Sequence, residues 1–185
     1  DTPATAVQLT NRIVDPEHLT PVAVDTPGEL QLRSPHDFDG YLDDPAATAG
    51  RWTPDGWIRS GDLAREYAAG RVFIVGRMDN VIVSGGENIA AEEVESTLLQ
   101  HPAVTAALVF GVPDPHWGAR PVAWVTGPGR VPGDEVGEWL HGRLARFKHP
   151  ALIEVVSELP RTGAGKLDRQ AARHQYDQQT PGTFS

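Results

Sequence analysis

Cysteine is absent from the 185-residue chain, which excludes disulfides and thiolate metal sites. Positive charge is scarce. There are 16 Lys and Arg against 25 Asp and Glu, a net charge of −9 and a pI near 5.1. That balance opposes the basic surface a nucleic-acid partner demands. Long apolar runs are also missing. The longest are strand-sized, so no segment can span a membrane as a helix. The opening residues, Asp1-Thr2-Pro3-Ala4-Thr5, lack the basic start and apolar stretch of a secretory signal. A soluble, cytoplasmic protein is expected. No internal repeat occurs, and the histidines show no metal-ligand spacing. Lysine is almost missing: only Lys148 and Lys166 stand among the 16 basic residues. Arginine and lysine are not interchangeable at a specific site, so either chance or a need for lysine accounts for these two.

What is present describes a folded, loop-rich protein. Gly 19 and Pro 16 mark many turns, while 39% hydrophobic residues supply a core and argue against disorder. Residues 7–15, 28–33, 57–63 and 71–75 read as strands, and Ala68-Ala69-Gly70 as a hairpin turn. Asp43 and Asp44 before Pro45 signal a short helix over 43–50. The pattern then changes to mixed elements. A strand over 81–83 leads to a helix over 90–100, with strands over 104–110 and 121–126 beyond it. A helix over 134–146, a strand over 153–157 and a helix over 168–176 complete the series, and 177–185 reads as a frayed tail. The expected class is α+β, with a mostly β segment over 1–78 and a small α+β domain over 79–185.

The most informative run is Gly76 to Glu95, Gly-Arg-Met-Asp-Asn-Val-Ile-Val-Ser-Gly-Gly-Glu-Asn-Ile-Ala-Ala-Glu-Glu-Val-Glu. Its helix places Ala90, Val94, Leu98 and Leu99 on one face, with Glu92, Glu93 and Glu95 pointing elsewhere. Paired glycines after a strand belong where the backbone turns sharply or a ligand comes close. This string resembles the hinge region of the adenylate-forming superfamily, and Ser-Gly-Gly-Glu-Asn-Ile is most similar to its acyl-CoA synthetase branch. The resemblance covers roughly residues 7–173. It implies that residues 1–78 are the end of a large N-terminal domain's barrel-like subdomain, and that a mobile C-terminal domain follows. The family's Ser/Thr/Gly-rich phosphate loop and its aromatic-Gly-x-Thr-Glu motif have no counterpart here. The chain is therefore expected to be a fragment or one half of a split ligase, with the N-terminal adenylating domain as its missing partner.

The same resemblance implies roles for individual residues. Lys166, in Pro-Arg-Thr-Gly-Ala-Gly-Lys-Leu-Asp-Arg, resembles the catalytic lysine. Acyl-adenylate formation brings a carboxylate against the α-phosphate of ATP, and a mobile ammonium can neutralise the charge that grows there. Asp62 resembles the carboxylate that accepts both ribose hydroxyls, as its two oxygens permit. Arg77 resembles an arginine that reaches the nucleotide. Asp79 resembles the hinge residue, whose torsions swing the C-terminal domain, although a plain turn aspartate reads the same way. Gly85 and Gly86 resemble the lining of the pantetheine channel. Trp117 and Phe147 resemble aromatics that contact CoA, with core packing the equal alternative for Phe147; Lys148, Arg120 or Arg146 could meet phosphates. His149 and Ala151 depart from the Arg or Lys that such ligases often carry. The implied substrates are ATP, CoA and a small carboxylic acid, with Mg2+ held by ligands outside this chain. Two rival functions stay open: loading of a carrier protein instead of CoA, and a non-catalytic interaction module.

Overall fold

The structure, a computed structural model, describes residues 9–35, 38–68, 70–128 and 133–179. It divides into two compact units, Asp1–Asp79 and Asn80–Ser185. The first is an antiparallel sheet of β1 (Thr10–Val14), β2 (Gly28–Arg33), β3 (Ile58–Tyr67) and β4 (Arg71–Arg77), in that spatial order. Its core is small: Ile13, Leu30 and Ala64, flanked by Val22, Leu32 and Val72. Helix α1 (Pro45–Gly50) begins as its sequence signals. The Asp44 side chain caps the Ala47 N–H, and proline occupies the first turn, where its missing donor costs nothing. Strand β3 outruns the expected end at Leu63, because Tyr67 still pairs with Arg71 across the hairpin. Gly70 supplies the positive φ of that turn. Residues 7, 8 and 69 of the expected elements lie outside the described residues.

The second unit has three layers. Its sheet runs β6 (Glu87–Ala90), β5 (Val81–Ser84), β8 (Gly118–Thr126), β7 (Ala106–Asp114), with β9 (Leu152–Val155) parallel to β8. The period of two sorts its side chains. Ala107, Val109, Ala123 and Val125 pack with Val94 and Leu98 of α2 (Ala91–Leu98) and Val136 of α3 (Gly133–Trp139). Leu108, Phe110, Val122 and Trp124 point the other way, to Ala172 and Tyr176 of α4 (Arg169–Gln179). Both sheet faces are thus covered, which is why β7 and β8 read as nearly unbroken apolar runs. The expected α+β class holds.

Several elements differ from the sequence reading. The segment after β5 first makes a hairpin: Ser84 pairs with Glu87, so Gly85-Gly86 is a two-residue turn and Glu87–Ala90 is a strand. Both glycines have positive φ, 59° and 85°, as a type I′ turn requires. The helix begins only at Ala91. Its buried stripe is Ala91, Val94, Glu95 and Leu98, an i, i+3, i+4, i+7 set. Leu99, past the helix end, is 48% exposed, whereas Glu95 lies on the buried face. Helix α3 stops at Trp139, short of 146, and the chain turns at Gly142 with φ 76°. Helix α4 continues to Gln179 where fraying was expected, and the rest of the expected tail, 180–185, lies outside the described residues. These corrections are testable in one helix. Leu98→Ala should cost about 2–5 kcal/mol, read as a lower midpoint of urea unfolding, and Leu99→Ala about 0.5 kcal/mol or less. Equal losses at the two positions would contradict this helix orientation.

Candidate functional site

In the first unit the β3–β4 hairpin brings two implied nucleotide ligands together. Asp62 stands directly opposite Arg77, and Arg77 Nη1 donates to Asp62 Oδ1 at 2.7 Å. Ser60 Oγ accepts the Asp62 N–H at 3.0 Å. Asp79 is exposed in the single 3-10 turn Met78–Asn80, with its carboxylate 3.8 Å from Arg77 Nη2. A side chain that motif reading passed over joins them. Arg51 donates to the carbonyls of Arg59 and Ser60 at 3.2 and 3.3 Å and to the Tyr41 hydroxyl at 3.1 Å. Gly61, with φ 74°, lets both guanidinium groups close over the backbone. A Cβ there would meet Arg51 Nη1 at 2.9 Å and Arg77 Nη2 at 3.0 Å. Arg51, Arg59, Gly61, Met78 and Asp79 line one shallow depression. Asp62 keeps one carboxylate oxygen free of Arg77, so this face offers both acceptors and cationic donors.

In the second unit two hairpins meet. Asp114 pairs with Gly118, so Pro115, His116 and Trp117 form a three-residue loop between β7 and β8. Asp114 Oδ1 accepts the N–H groups of His116 and Trp117, both at 2.9 Å. Desolvation pushes the Asp114 carboxyl up, but those two N–H bonds and the Arg120 charge outweigh it and hold it below its ordinary range. Trp117 is 55% exposed, and its indole lies on Gly85. A Cβ at Gly85 would stand 2.5 Å from the ring, and the Gly85 N–H donates to the Trp117 carbonyl at 2.8 Å. At Gly86 a Cβ would meet nothing within 4 Å. Of the glycine pair, one is roofed by tryptophan and one presents open backbone.

Phe147 is 46% exposed, in the turn Arg146–Lys148, so core packing does not account for it. Lys148 is committed to structure: its ammonium sits 2.7 Å from both Glu93 oxygens. Arg120 faces Asp114 at 3.9 Å. His149 bonds the Leu144 carbonyl and stacks on His141 at 5.1 Å.

Lys166 lies on a loop tied at its base. Arg161 bridges Leu167, the Thr162 N–H donates to the Lys166 carbonyl at 2.7 Å, and the Asp168 N–H donates to the Pro160 carbonyl at 2.9 Å. Gly165 turns the chain with φ 81°. The Lys166 side chain is exposed, and among the described residues its ammonium has neither ion pair nor hydrogen bond. Asp168 caps α4 through the Ala171 N–H. Arg169, the next residue, reaches into the unit and grips the buried Glu95 with both oxygens at 2.8 Å. Burial pushes the Glu95 carboxyl up, against the pull of the Val109 N–H and Arg169. Arg169, Glu92 and Glu95 lie within the two quoted runs, but the resemblance assigned none of them a role. The helical spacing of Glu95 with Ala91, Val94 and Leu98 was the available signal.

Among the described residues no three of His, Cys, Asp or Glu converge as metal ligands, and no helix is long and apolar enough to cross a membrane.

Residues 93–166 match the AMP-binding enzyme C-terminal domain. Feruloyl-CoA synthase from an Amycolatopsis species is 40% identical over 158 residues, which cover 84% of this chain and 32% of that one. A 4-chlorobenzoate–CoA ligase from an Arthrobacter species is 39% identical, covering 96% of this chain and 35% of its own. Among solved structures, o-succinylbenzoate CoA synthetase from Bacillus subtilis, in complex with its acyl-adenylate intermediate, superposes with a TM-score of 0.81 at 32% identity, over 89% of this chain and 34% of that one. The chain spans about one third of the length of the relatives it matches. Over residues 93–166 it carries the C-terminal domain of AMP-binding enzymes, and over most of its length it is similar to CoA ligases.

Proposed function

We propose that this chain is the C-terminal portion of an ATP-dependent acyl- or aryl-CoA ligase, acting with an N-terminal adenylating domain. The observation that carries the reading is Lys166: an exposed ammonium, unpaired among the described residues, on a glycine-bearing loop within the family's C-terminal domain. In the first half-reaction a carboxylate oxygen of the acid attacks the α-phosphorus of ATP, and pyrophosphate leaves. Lys166 neutralises the charge gathering between the two anions, an electrostatic contribution made without a proton transfer. Asp62 accepts the two ribose hydroxyls with its two carboxylate oxygens, of which only Oδ1 also takes one bond from Arg77, and Arg77 stays beside it to meet the nucleotide. In the second half-reaction the CoA sulfur attacks the acyl carbonyl, and AMP leaves. Asp79, exposed in its short turn, supplies the torsional change between the two poses. Gly86 offers bare backbone to the pantetheine arm, Gly85 seats Trp117, and exposed Trp117 and Phe147 offer faces to the CoA adenine. Mg2+ belongs to the ATP-binding half. The described residues supply no ligand set for it. A cytoplasmic location suits an enzyme that draws on ATP and CoA.

The complete ligase tests the lysine. Lys166→Ala should depress adenylation on the order of 10²–10³, measured by carboxylate-dependent ATP–pyrophosphate exchange, and should spare thioester formation from supplied acyl-AMP. Equal loss in both half-reactions would point to a folding defect instead.

A second pair of variants tests the acceptor side. Gly86→Asn preserves the turn, since asparagine tolerates positive φ, yet places a side chain over the open backbone. Thioester formation should fall while adenylation is unchanged. Trp117→Ala should instead raise the KM for CoA, by about tenfold if the ring stacks on adenine. If neither variant alters thioester formation, the acceptor does not use this face, and a carrier protein becomes the better candidate.

A further inference from the structure

Arg169 is placed where a helix least favours a cation. It is the first residue of α4, and the N-terminus of a helix carries the positive end of the dipole. Its partners lie across the unit. Nη2 reaches Glu95 Oε1 and Oε2 at 2.8 Å and Glu92 Oε1 at 3.3 Å, and Nε donates to the Val109 carbonyl at 3.2 Å. Glu92 in turn accepts from the Asn80 side chain, and its second oxygen is buried without a partner. The Val109 N–H donates to Glu95 and its carbonyl accepts from Nε, so the edge of β7 accounts for Glu95 but not for Glu92 or for the reach of Nη2 to both carboxylates. Stability explains them poorly as well, because desolvation of a buried ion pair offsets much of its attraction. What the pair does achieve is geometric. Three residues upstream of Arg169 stands Lys166, on a loop whose base closes at Pro160 and Asp168.

We propose that Arg169 is a positioning residue for Lys166. By clamping the base of the lysine loop to Glu95 and Glu92, it fixes that loop relative to Asn80, the residue directly after Asp79. The inference deepens the ligase reading and rests on it for the role of Lys166. The planar guanidinium, with Nη2 on the two carboxylates and Nε on the Val109 carbonyl, holds orientation as well as distance, which a lysine cannot do.

Native-state hydrogen exchange on the 185-residue chain reads the clamp without any activity. The amides of Thr162, Gly165 and Asp168 each donate a backbone bond within or across the loop. Arg169→Lys keeps the charge but loses the second donor nitrogen, and should speed exchange at these amides about tenfold. The β7–β8 ladder should stay protected. Asn80→Ala touches Glu92 and not the loop; it should speed the same amides by a smaller factor. Unchanged loop exchange in Arg169→Lys overturns the proposal. So does an equal rise throughout β7–β8, which would make Arg169 a general support of the fold. Unchanged loop exchange in Asn80→Ala overturns the link to Asn80, and that variant carries the test if Arg169→Lys fails to fold. In the complete ligase Arg169→Lys should lower kcat for adenylation and leave the KM for ATP unchanged; a change in KM alone overturns it. Lys166→Ala in the same assay separates the two claims. If it is silent, the lysine reading fails whatever the amides do. If it is damaging while Arg169→Lys is silent, only the positioning role fails.

Discussion

Strand β7 must satisfy two demands that conflict. It is the outermost strand of its sheet, yet both of its faces are buried, Leu108 and Phe110 against α4 and Ala107 and Val109 against α2. An edge strand leaves backbone donors and acceptors without a neighbouring strand, and burial makes each of them costly. The side chains of two helices resolve this at Val109. Glu95 of α2 accepts its N–H at 2.8 Å and Arg169 of α4 donates to its carbonyl. A carboxylate and a guanidinium brought to one residue then need each other, and they bond at 2.8 Å. The two helices on opposite faces of the sheet are thereby tied across its edge. The entry to α4, and with it the lysine loop, takes its position from this single backbone requirement.

The opposite edge of β8 is organised by glycine. The β5–β6 hairpin pairs with β8 only at its start, where Ser84 stands opposite Gly118. That leaves Val122–Val125 free to pair with β9. Close approach at this corner depends on Gly85, since a Cβ there would overlap the Trp117 ring. The indole is thus held half-exposed by a neighbour that has no side chain, and Asp114 fixes its loop from the other side. Aromatic exposure here follows from packing constraints on the turn, without any vacancy in the core.

Much of this was legible in the sequence, for reasons that differ by element. The strand β2 and the helix start at Asp44-Pro45 were read as they stand, because period-two alternation and N-capping are local signals. The Ser-Gly-Gly-Glu run reads as a sharp turn, but the sequence shows no strand beyond it and places Ala90 in the helix. Ile89 and Ala90 are apolar and sit next to good helix formers, and only pairing with Val81 and Ile82 makes them a strand. That pairing is not local. Glu95 escaped for a related reason: a charged residue is assigned to the solvent face unless its partner is known, and Arg169 lies 74 positions away. The pairing of Asp62 with Arg77 was likewise set by hairpin register, which the bulge between Leu63 and Ala64 shifts. The Arg51 contact with Ser60 has no sequence motif, and although Arg169 ends the lysine-loop run, nothing in that run names its partners. Each exists because distant segments converge.

The two lysines end in opposite situations, and the contrast says why an arginine-rich chain keeps them. Lys148 is mostly buried, with its ammonium held between both oxygens of Glu93. That is a compact point charge on one carboxylate, a site in which the five donors of a guanidinium would leave several unmet. Lys166 has no partner among the described residues and stands on a loop whose own hydrogen bonds are all backbone or from Arg161. An arginine already occupies that loop, with Nη1 spent on the Gly165 carbonyl. A second guanidinium there would compete for the same carbonyls and could fold back onto them. An ammonium on a four-carbon stem is compact and strongly hydrated, and gains less from any one carbonyl. The loop therefore needs two different cations: one that bonds inward and shapes the turn, and one that stays free to meet a ligand's charge.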